Sequence, residues 1–156
     1  MARACIGIGS SLGEREEAVK RALSLLNMYR EISVIACSQV YETEPEGGIA
    51  SRRFLNAAAL VDTTLEAAVL LEALLAIERH IGRDRRSEVR WGDRVIDLDL
   101  LLYDELITTS PTLTIPHPRM HQRSFVLRPL REIAPEIIHP QLHKTIAQLW
   151  FELSEK

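Results

Sequence analysis

Two aspartates in an otherwise apolar stretch are the residues of this sequence best suited to chemistry. Asp97 and Asp99 stand two positions apart within Val95–Tyr103. Because side chains alternate between the faces of a β-strand, we expect both carboxylates on one face and the apolar Ile96, Leu98, Leu100 and Leu102 on the other. Adjacent carboxylates repel each other and are costly to bury without a cation. The pair therefore predicts a Mg²⁺ site, and a charged edge strand that resists aggregation is the alternative.

The segment before this strand is rich in arginine. Six arginines fall between positions 79 and 94, namely Arg79, Arg83, Arg85, Arg86, Arg90 and Arg94. Arginine binds phosphate through paired hydrogen bonds and stabilises the charge that develops during phosphoryl transfer. Because Arg94 stands three residues before Asp97, the pattern favours a combined phosphate and metal site. The alternative is a solvated loop, in which Asp84, Glu88 and Asp93 offset part of the positive charge.

Two further groups of side chains suit a ligand. Phe54 and Asn56 would point to the same face of a strand, where an aromatic ring beside an amide suits a flat heterocycle. The alternative is a core phenylalanine and an asparagine that bonds to the backbone. His117 stands between two prolines, and this stiff segment could direct His117 and the nearby Arg123 towards an anion. The alternative is a surface histidine in a turn.

Two other motifs carry less chemistry. The glycine-rich segment Gly7–Gly13 matches neither the dinucleotide-binding nor the P-loop spacing, so we expect a tight turn at the edge of a sheet. His139 and His143 have helical metal-ligand spacing, but Pro140 between them would disrupt such a helix. We therefore predict surface positions for both histidines and no zinc site.

The elements that must position these residues follow from periodicity and capping signals. Strands are predicted at residues 4–8, 32–41, 54–61, 95–103 and 113–115. Helices are predicted at residues 11–29, 65–81, 129–133 and 144–153. Ser11 with Glu14 and Thr63 with Glu66 match capping boxes, and Gly82 is expected to end the second helix. The order β-α-β-β-α-β predicts a ferredoxin-like α+β fold, a mostly antiparallel sheet in a layered α-β-α arrangement.

Composition restricts the class of protein. The chain has 156 residues, of which 46% are hydrophobic and 26% charged, with a net charge of −3. This length predicts one domain over residues 1–156, large enough to bury a core without disulfides. No apolar run approaches the ~18 residues of a membrane span, and no signal peptide is evident. We therefore expect a cytoplasmic protein with Cys5 and Cys37 as buried, reduced thiols, and the mild charge argues against bulk nucleic-acid binding.

Several of these segments, taken together, resemble the 6-hydroxymethyl-7,8-dihydropterin pyrophosphokinase family over nearly the whole chain. The matching segments are Gly7–Gly13, Tyr41–Pro45, Phe54–Ala57, Ile77–Glu78, Arg90–Tyr103, Pro116–Arg119, Arg123–Leu127 and Glu132–Pro135. The resemblance implies transfer of pyrophosphate from ATP to the pterin hydroxymethyl group, with release of AMP, in folate biosynthesis. It implies ATP as co-substrate and two Mg²⁺ ions, with no nucleic-acid, membrane or obligate protein partner.

The resemblance also implies roles for individual residues. The metal ligands would be Asp97 and Asp99, and the catalytic residues would be these two together with Arg83 and Arg94. The ATP-binding residues would be Glu78, Arg85, Trp91, Arg94, His117 and Arg123. The pterin-binding residues would be Thr43, Pro45, Glu46, Phe54, Asn56 and Phe125, with the two phenylalanines enclosing the ring. Ser11, Glu46, Asp93, Val95 and Ile96 depart from the family pattern. Asp93 adds a negative charge beside Arg94, which would weaken phosphate binding modestly but removes no expected ligand.

Two other functions remain open at this point. A ferredoxin-like RNA-binding module could use the basic segment, but the chain lacks the aromatic RNP motif. Without a metal, Asp97 and Asp99 would also repel phosphates. A ligand-sensing regulatory domain of the same fold would bind a small molecule without forming AMP.

Overall fold

A computed structural model describes residues 1–10, 15–43, 54–83 and 95–155, without the side chains of Arg15, Thr43 and Arg83. The main strands are β1 (Ala2–Ser10), β2 (Ile32–Cys37), β3 (Tyr41–Thr43), β4 (Phe54–Thr63) and β5 (Asp97–Tyr103). The helices are α1 (Arg15–Met28), α2 (Ala67–Arg83), α3 (Ser124–Ile133) and α4 (Ile146–Ser154). Two short ribbons pair β6 (Thr108–Thr109) with β7 (Thr114–Ile115) and β8 (Ile138–His139) with β9 (Lys144–Thr145). A 3₁₀ turn at Met120–Gln122 precedes α3.

The main sheet has the strand order β2-β4-β1-β5, and β3 also pairs with β4. All of these pairs are antiparallel. Strands β1 and β2 are joined through α1 but are separated in the sheet by β4, which is the split βαβ arrangement. The predicted ferredoxin-like fold with an antiparallel sheet is therefore confirmed.

Two apolar clusters cover the two faces of this sheet. Helices α1 and α2 pack on one face, where fully buried members include Ile6, Leu26 and Leu70. Helices α3 and α4 pack on the other face around Leu101 and Leu127. Burying each such side chain contributes about 1.5–3 kcal/mol relative to leaving it exposed. The sheet therefore lies between two helical layers, as the predicted α-β-α arrangement requires.

None of the helices in the described part of the chain combines the length and the hydropathy that a membrane span requires.

The strand predicted over residues 32–41 is wrong in its extent, because it is broken at Ser38. The N–H of Ser38 donates to the carbonyl oxygen of Ala58, and the Ser38 hydroxyl oxygen accepts the N–H of Ala58 at 2.9 Å. The side chain thereby takes the place of a strand bond, so β2 ends at Cys37 and β3 begins separately. Cys37 is exposed, as are the alternate residues Ser33 and Ile35 of β2, which contradicts its predicted burial. Cys5 is buried as predicted, and burial raises the pKa of its thiol to about 12.

The capping signals predicted for α2 are also wrong. The Thr63 hydroxyl donates to the Glu31 carbonyl oxygen at 2.7 Å and accepts the N–H of Leu65 at 3.0 Å. It is therefore committed to a turn at the end of β4, and α2 begins later, at Ala67. Gly82 does not end the helix, which continues to Arg83.

The last two helices begin at residues that differ from the predicted ones. Helix α3 begins at Ser124, so Pro129 lies inside it rather than in its first turn. Helix α4 begins at Ile146 behind a capping box, in which the Thr145 hydroxyl accepts the N–H of Gln148 and the Gln148 side chain accepts the N–H of Thr145. This threonine-to-glutamine spacing is readable from sequence.

His139 is buried, with 2% of its surface exposed, although its sequence context predicted a surface position. Its Nδ1 accepts the N–H groups of Gln141 and Leu142, both at 3.2 Å. Its ring meets the edge of the His121 ring at a centroid distance of 6.2 Å. Burial lowers the pKa of His139, and the charge of His121 lowers this pKa further. His139 therefore acts as a neutral acceptor that closes the turn between β8 and β9.

We expect the free energy of unfolding to fall as the pH drops below 6.5, the ordinary pKa of histidine. The unfolded chain then binds a proton that the buried His139 resists, so acid favours unfolding. A His139→Asn substitution keeps an oxygen acceptor for the two amides and removes the titration. Chemical denaturation measures the free energy of unfolding at about pH 7.5 and about pH 5.5. Between these two pH values, this free energy should fall less for the variant than for the wild type. An equal fall in the free energy of unfolding for both proteins would contradict the role of His139 as a buried neutral acceptor.

Candidate active site

A cleft of about 150 Å³ opens at one end of the sheet, on the face that carries α3. Six of the residues that line it have aromatic, amide or charged side chains, namely Phe54, Asn56, Asp97, Asp99, Arg123 and Phe125. They come from β4, from β5 and from the start of α3, so distant parts of the chain meet here. Residue types and spacing predict a ligand role for Phe54, Asn56, Asp97, Asp99 and Arg123, and the family resemblance implies one for Phe125.

The sheet register explains why the two aspartates share this cleft. On the central strand β1, Gly9 pairs with Asp97 and Gly7 pairs with Asp99. Both carboxylates face the cleft and are half-buried, whereas Leu98 between them is buried against α1 and α2. The expected alternation of Asp97, Leu98 and Asp99 is therefore confirmed.

The alternation fails further along β5. The β1–β5 register shifts between Cys5 and Ile6, opposite Leu100 and Leu102. Leu100 belongs to the cluster under α1 and α2, but Leu102 lies in the cluster under α3 and α4. The prediction that Leu102 shares a face with Leu98 and Leu100 is wrong, because this irregularity moves it to the other face.

Gly7 and Gly9 lie within the central strand and not in a turn, which corrects the prediction for this part of the glycine-rich segment. Gly9 pairs with Asn56 on one side and with Asp97 on the other. A Cβ atom at Gly9 would lie 3.5 Å from Asn56 Oδ1 and 3.8 Å from the Phe54 ring. The glycine thus leaves the floor of the cleft free of side chains. A glycine inside a strand is itself a sequence signal for close approach of a ligand.

The end of the cleft opposite the carboxylates is aromatic and amide-lined. Asn56 is 5% exposed, and Phe54 and Phe125 are half-buried beside it. The Arg123 guanidinium lies over the Phe125 ring, 5.6 Å from its centroid. Arg123 therefore places a positive charge beside Phe125 in the same cleft as the two carboxylates.

His117 lies next to this charged end. The backbone N–H of His117 donates to the Leu101 carbonyl oxygen at 3.0 Å, and its ring Nδ1 accepts the backbone N–H of Arg119 at 3.3 Å. The neutral ring then carries its proton on Nε2. Burial lowers the pKa of His117, the charge of Asp99 raises it, and the charges of Arg123 and Arg119 lower it. His117 is thus held as a neutral donor within the electrostatic reach of Asp99.

Glu78 approaches the site from α2. Its Oε2 accepts the backbone N–H of Leu98, the residue between the two aspartates, at 2.6 Å. Glu78 is half-buried at this position. The contact joins the long helix to the strand that carries the carboxylates.

The remaining predicted site residues are not placed by the structure. Pro45, Glu46, Arg85, Trp91 and Arg94 lie outside the described residues, as does the predicted capping pair Ser11 and Glu14. Thr43 pairs with Phe54 through its backbone and Arg83 is the last residue of α2, but their side chains are not described. The roles implied for these residues stay predictions.

The paired aspartates fit a magnesium ion better than a self-contained metal site. Within the ranges that the structure describes, no three or more histidine, cysteine, aspartate or glutamate residues form a group that could hold a metal ion. Asp97 and Asp99 supply two carboxylates on one face of a cleft. Mg²⁺ is commonly bound by one or two carboxylates and completes its shell with water and phosphate oxygens. The pair therefore suits an ion that arrives with a phosphorylated ligand.

Fold and cleft together define a ferredoxin-like α+β protein with an acidic, aromatic-lined ligand site. Residues 5–135 match the family model described as 7,8-dihydro-6-hydroxymethylpterin-pyrophosphokinase (HPPK). The 2-amino-4-hydroxy-6-hydroxymethyldihydropteridine pyrophosphokinase of Bacillus subtilis is 42% identical over 134 residues, which cover 86% of this chain and 79% of that protein. The protein of the same name from Pseudomonas aeruginosa is 40% identical over 88% of this chain and 84% of its own length. The chain belongs to the HPPK family of enzymes.

Some relatives carry this unit within a longer protein. The folic acid synthesis protein fol1 of Schizosaccharomyces pombe is 37% identical over 93% of this chain, which spans only 20% of that protein. A crystal structure of HPPK-DHPS in complex with substrates has a TM-score of 0.76 and covers 99% of this chain and 44% of its own. At 14% identity, this structure supports the fold alone.

Proposed function

We propose that Asp97 and Asp99 bind the Mg²⁺-bearing phosphates of ATP while the aromatic end of the same cleft binds the pterin. As a member of the HPPK family, the chain is an ATP-dependent pyrophosphokinase of folate biosynthesis. It transfers pyrophosphate from ATP to the hydroxymethyl group of 6-hydroxymethyl-7,8-dihydropterin and releases AMP. The observation that carries the site assignment is that both carboxylates, Asn56 and the two phenylalanines line one cleft.

The charged end of the cleft suits the phosphates. When bound, Mg²⁺ neutralises phosphate charge and orients the transferred group for in-line attack. Asp97 and Asp99 hold the metal on one face of β5, and we propose two ions, as the resemblance implies. Arg123 and the Nε2 proton of His117 donate to phosphate oxygens. We further propose that Arg83 and Arg94 stabilise the leaving and bridging oxygens and that Arg85 and Trp91 contact ATP.

The opposite end suits a flat heterocycle. Phe54 and Phe125 stack on the two faces of the pterin, and the Asn56 amide bonds to its edge. Thr43, Pro45 and Glu46 complete this side in our proposal. Because Gly9 adds no side chain to the floor, the ring can lie directly on the strand, with its hydroxymethyl group towards Asp97.

Positioning and electrostatics carry most of the rate in this proposal. Among the described residues that line the cleft, the ionisable side chains are Asp97, Asp99 and Arg123. The two aspartates are committed to the metal and the arginine cannot accept a proton. In this proposal the reaction depends on holding the hydroxymethyl oxygen in line with the β-phosphorus, and none of these described side chains is a dedicated base for its proton.

The decisive experiment is to incubate the purified protein with Mg²⁺, ATP and 6-hydroxymethyl-7,8-dihydropterin. We expect AMP and the pterin diphosphate in equal amounts, and no AMP when the pterin or the Mg²⁺ is omitted. Formation of ADP, or pterin binding without AMP, would contradict the proposal. The second outcome is the one expected of a ligand-sensing domain, which, like RNA binding, finds no support in the family membership.

A Phe54→Ala substitution should raise the KM for the pterin by roughly 10- to 100-fold and leave the KM for ATP nearly unchanged. Stacking of a flat ring on an aromatic side chain contributes about 1–3 kcal/mol, and this variant loses one of two such contacts. Steady-state kinetics with each substrate varied in turn would measure the effect. Phe151→Ala is the matched control, because Phe151 is 63% exposed on α4, outside the cleft. Equal increases in both KM values would contradict the pterin assignment.

We also propose that residues 1–156 form one domain that acts in the cytoplasm without an obligate protein partner. The two core clusters pack on the two faces of one sheet, which supports a single domain. Activity of the dilute, purified chain would test the absence of a partner. Cell fractionation would test the location.

A further inference from the structure

Glu78 forms a short, partly buried hydrogen bond to the strand that carries the two aspartates. Its Oε2 lies 2.6 Å from the backbone nitrogen of Leu98. At this separation the side-chain oxygen accepts the backbone N–H in a close hydrogen bond, which ties the side chain of α2 to the backbone of β5. Because the contact is partly buried, water competes with it less than it would at the surface.

This hydrogen bond fixes the outer side of β5, because of where β5 lies in the sheet. In the described sheet, β5 is an edge strand whose strand partner is β1. Successive N–H groups of an edge strand point alternately towards and away from the neighbouring strand. Since the Leu98 N–H is taken by Glu78, it lies on the outer side of β5. Glu78 therefore holds the outer edge of the strand at the residue between Asp97 and Asp99.

The cross-strand partners of the two aspartates on β1 are both glycines. Asp97 and Asp99 pair with Gly9 and Gly7, which have no side chains to pack against them. Two neighbouring carboxylates also repel each other before a cation arrives. The strand must therefore be held by its backbone, on one side by β1 and on the other by α2.

Helix α2 is fixed against β5 by packing, so it can hold the Glu78 carboxylate in place. Ile77 and Ile81, on either side of Glu78 in the helix, are buried in the same cluster as Leu98. Their packing fixes the helix against the strand, so the carboxylate of Glu78 has little freedom to leave the Leu98 amide.

We propose that Glu78 is a positioning residue, which sets the spacing and orientation of Asp97 and Asp99 for Mg²⁺ by fixing the Leu98 amide. This inference rests on the metal-binding role in the proposed function. It assigns Glu78 an action through its acceptor oxygen on the strand, in place of the direct ATP contact implied by the family resemblance. In this proposal, Mg²⁺ binding depends on the ability of the residue 78 side chain to accept the Leu98 N–H and not on its negative charge.

Two substitutions separate these roles. Glu78→Gln keeps an oxygen that can accept the Leu98 N–H but removes the charge, whereas Glu78→Met keeps the length and removes the strong acceptor. We expect Glu78→Met to raise the Mg²⁺ concentration for half-maximal activity by about tenfold, and glutamine to restore it to within about threefold of the wild type. The KM for ATP at saturating Mg²⁺ should change little in either variant. Glu72→Gln, an exposed residue on the same helix, is the matched control.

A binding measurement separates this inference from the proposed function. Electron paramagnetic resonance with Mn²⁺ and a non-hydrolysable ATP analogue reports metal affinity without turnover, and it should rank wild type and Glu78→Gln above Glu78→Met. If glutamine impairs metal binding as much as methionine does, the inference is overturned. An increase in the KM for ATP with unchanged metal affinity would overturn it in favour of direct contact. Failure of the wild type to form AMP would refute the proposed function and leave this ranking measurable.

Discussion

Replacing Asp97 or Asp99 with alanine should lower kcat for AMP formation by at least about a hundredfold, the scale seen when one charge-stabilising group is removed from an active site. Each carboxylate lies half-buried on the cleft-facing side of β5, directly beside the other. Losing one halves the protein's ligand set for Mg²⁺, and water cannot replace its negative charge. The fold should persist, because the substitution removes a repulsive neighbour and leaves the backbone pairing to Gly9 or Gly7 intact.

Initial rates, circular dichroism and the Tm together test this prediction. Initial rates over a wide range of Mg²⁺ concentrations test whether added metal rescues the variants. Circular dichroism and the Tm test whether they fold. Glu105→Ala, an exposed acid just after β5, is the matched control for losing one negative charge. Near-normal activity of either aspartate variant at saturating Mg²⁺ would contradict the metal-ligand assignment.

Gly9→Val should reduce kcat/KM for the pterin by about a hundredfold, because an error of about 1 Å in placing a reactant can cost that much. The Cβ atom alone would lie 3.5 Å from Asn56 Oδ1, within ordinary contact distance. The two valine methyl groups would then extend into a cleft of only about 150 Å³. A flat ring could no longer lie between Asn56 and the carboxylates, although ATP could still reach the charged end.

A graded series of variants tests this argument. Gly9→Ala should have an intermediate effect, since its single methyl group fits without a clash. Gly82→Ala is the matched control, because a Cβ at that helical glycine would meet nothing within 4 Å. It should leave the kinetics unchanged and stabilise the fold by about 0.5–1 kcal/mol. A normal KM for the pterin in Gly9→Val would show that the ring binds elsewhere.

Local patterns were sufficient to predict the features that depend on neighbours in sequence. Alternation placed Asp97 and Asp99 on one face, and the order of elements gave the split βαβ sheet. The errors arise where a distant partner decides the outcome. Gly7 and Gly9 were assigned to a turn because only the pairing of β1 with β4 and β5 makes them central. Leu102 changes face because of a register shift opposite Cys5, and no local pattern in β5 encodes that shift.

Side-chain bonds account for the other errors. Ser38 ends a strand, Thr63 closes a turn ahead of α2, and His139 closes the turn between β8 and β9, in each case through a bond to a backbone group. Serine, threonine and histidine can all form such bonds or remain in solvent, so their sequence context does not decide between the two. Among the implied site residues, those of the described cleft on β4 and β5 follow from readable strand periodicity, whereas Phe125 lies in the part of α3 that the predicted helix at residues 129–133 does not include. Arg94 and Trp91, by contrast, lie outside the described residues.

The placement of β1 at the centre of the sheet has a consequence for the order in which the protein is made and folds. β1 is the first strand of the chain, yet Gly9 acquires its neighbours Asn56 and Asp97 only after most of the chain has been synthesised. Phe125, which belongs to α3, is synthesised after both of these residues. Such long-range pairing is slow, and a shortened chain that lacks α3 would have metal-binding aspartates but an incomplete ring site. Pterin affinity would therefore report completed folding more faithfully than secondary structure does, and substrate in the cell would stabilise only finished molecules.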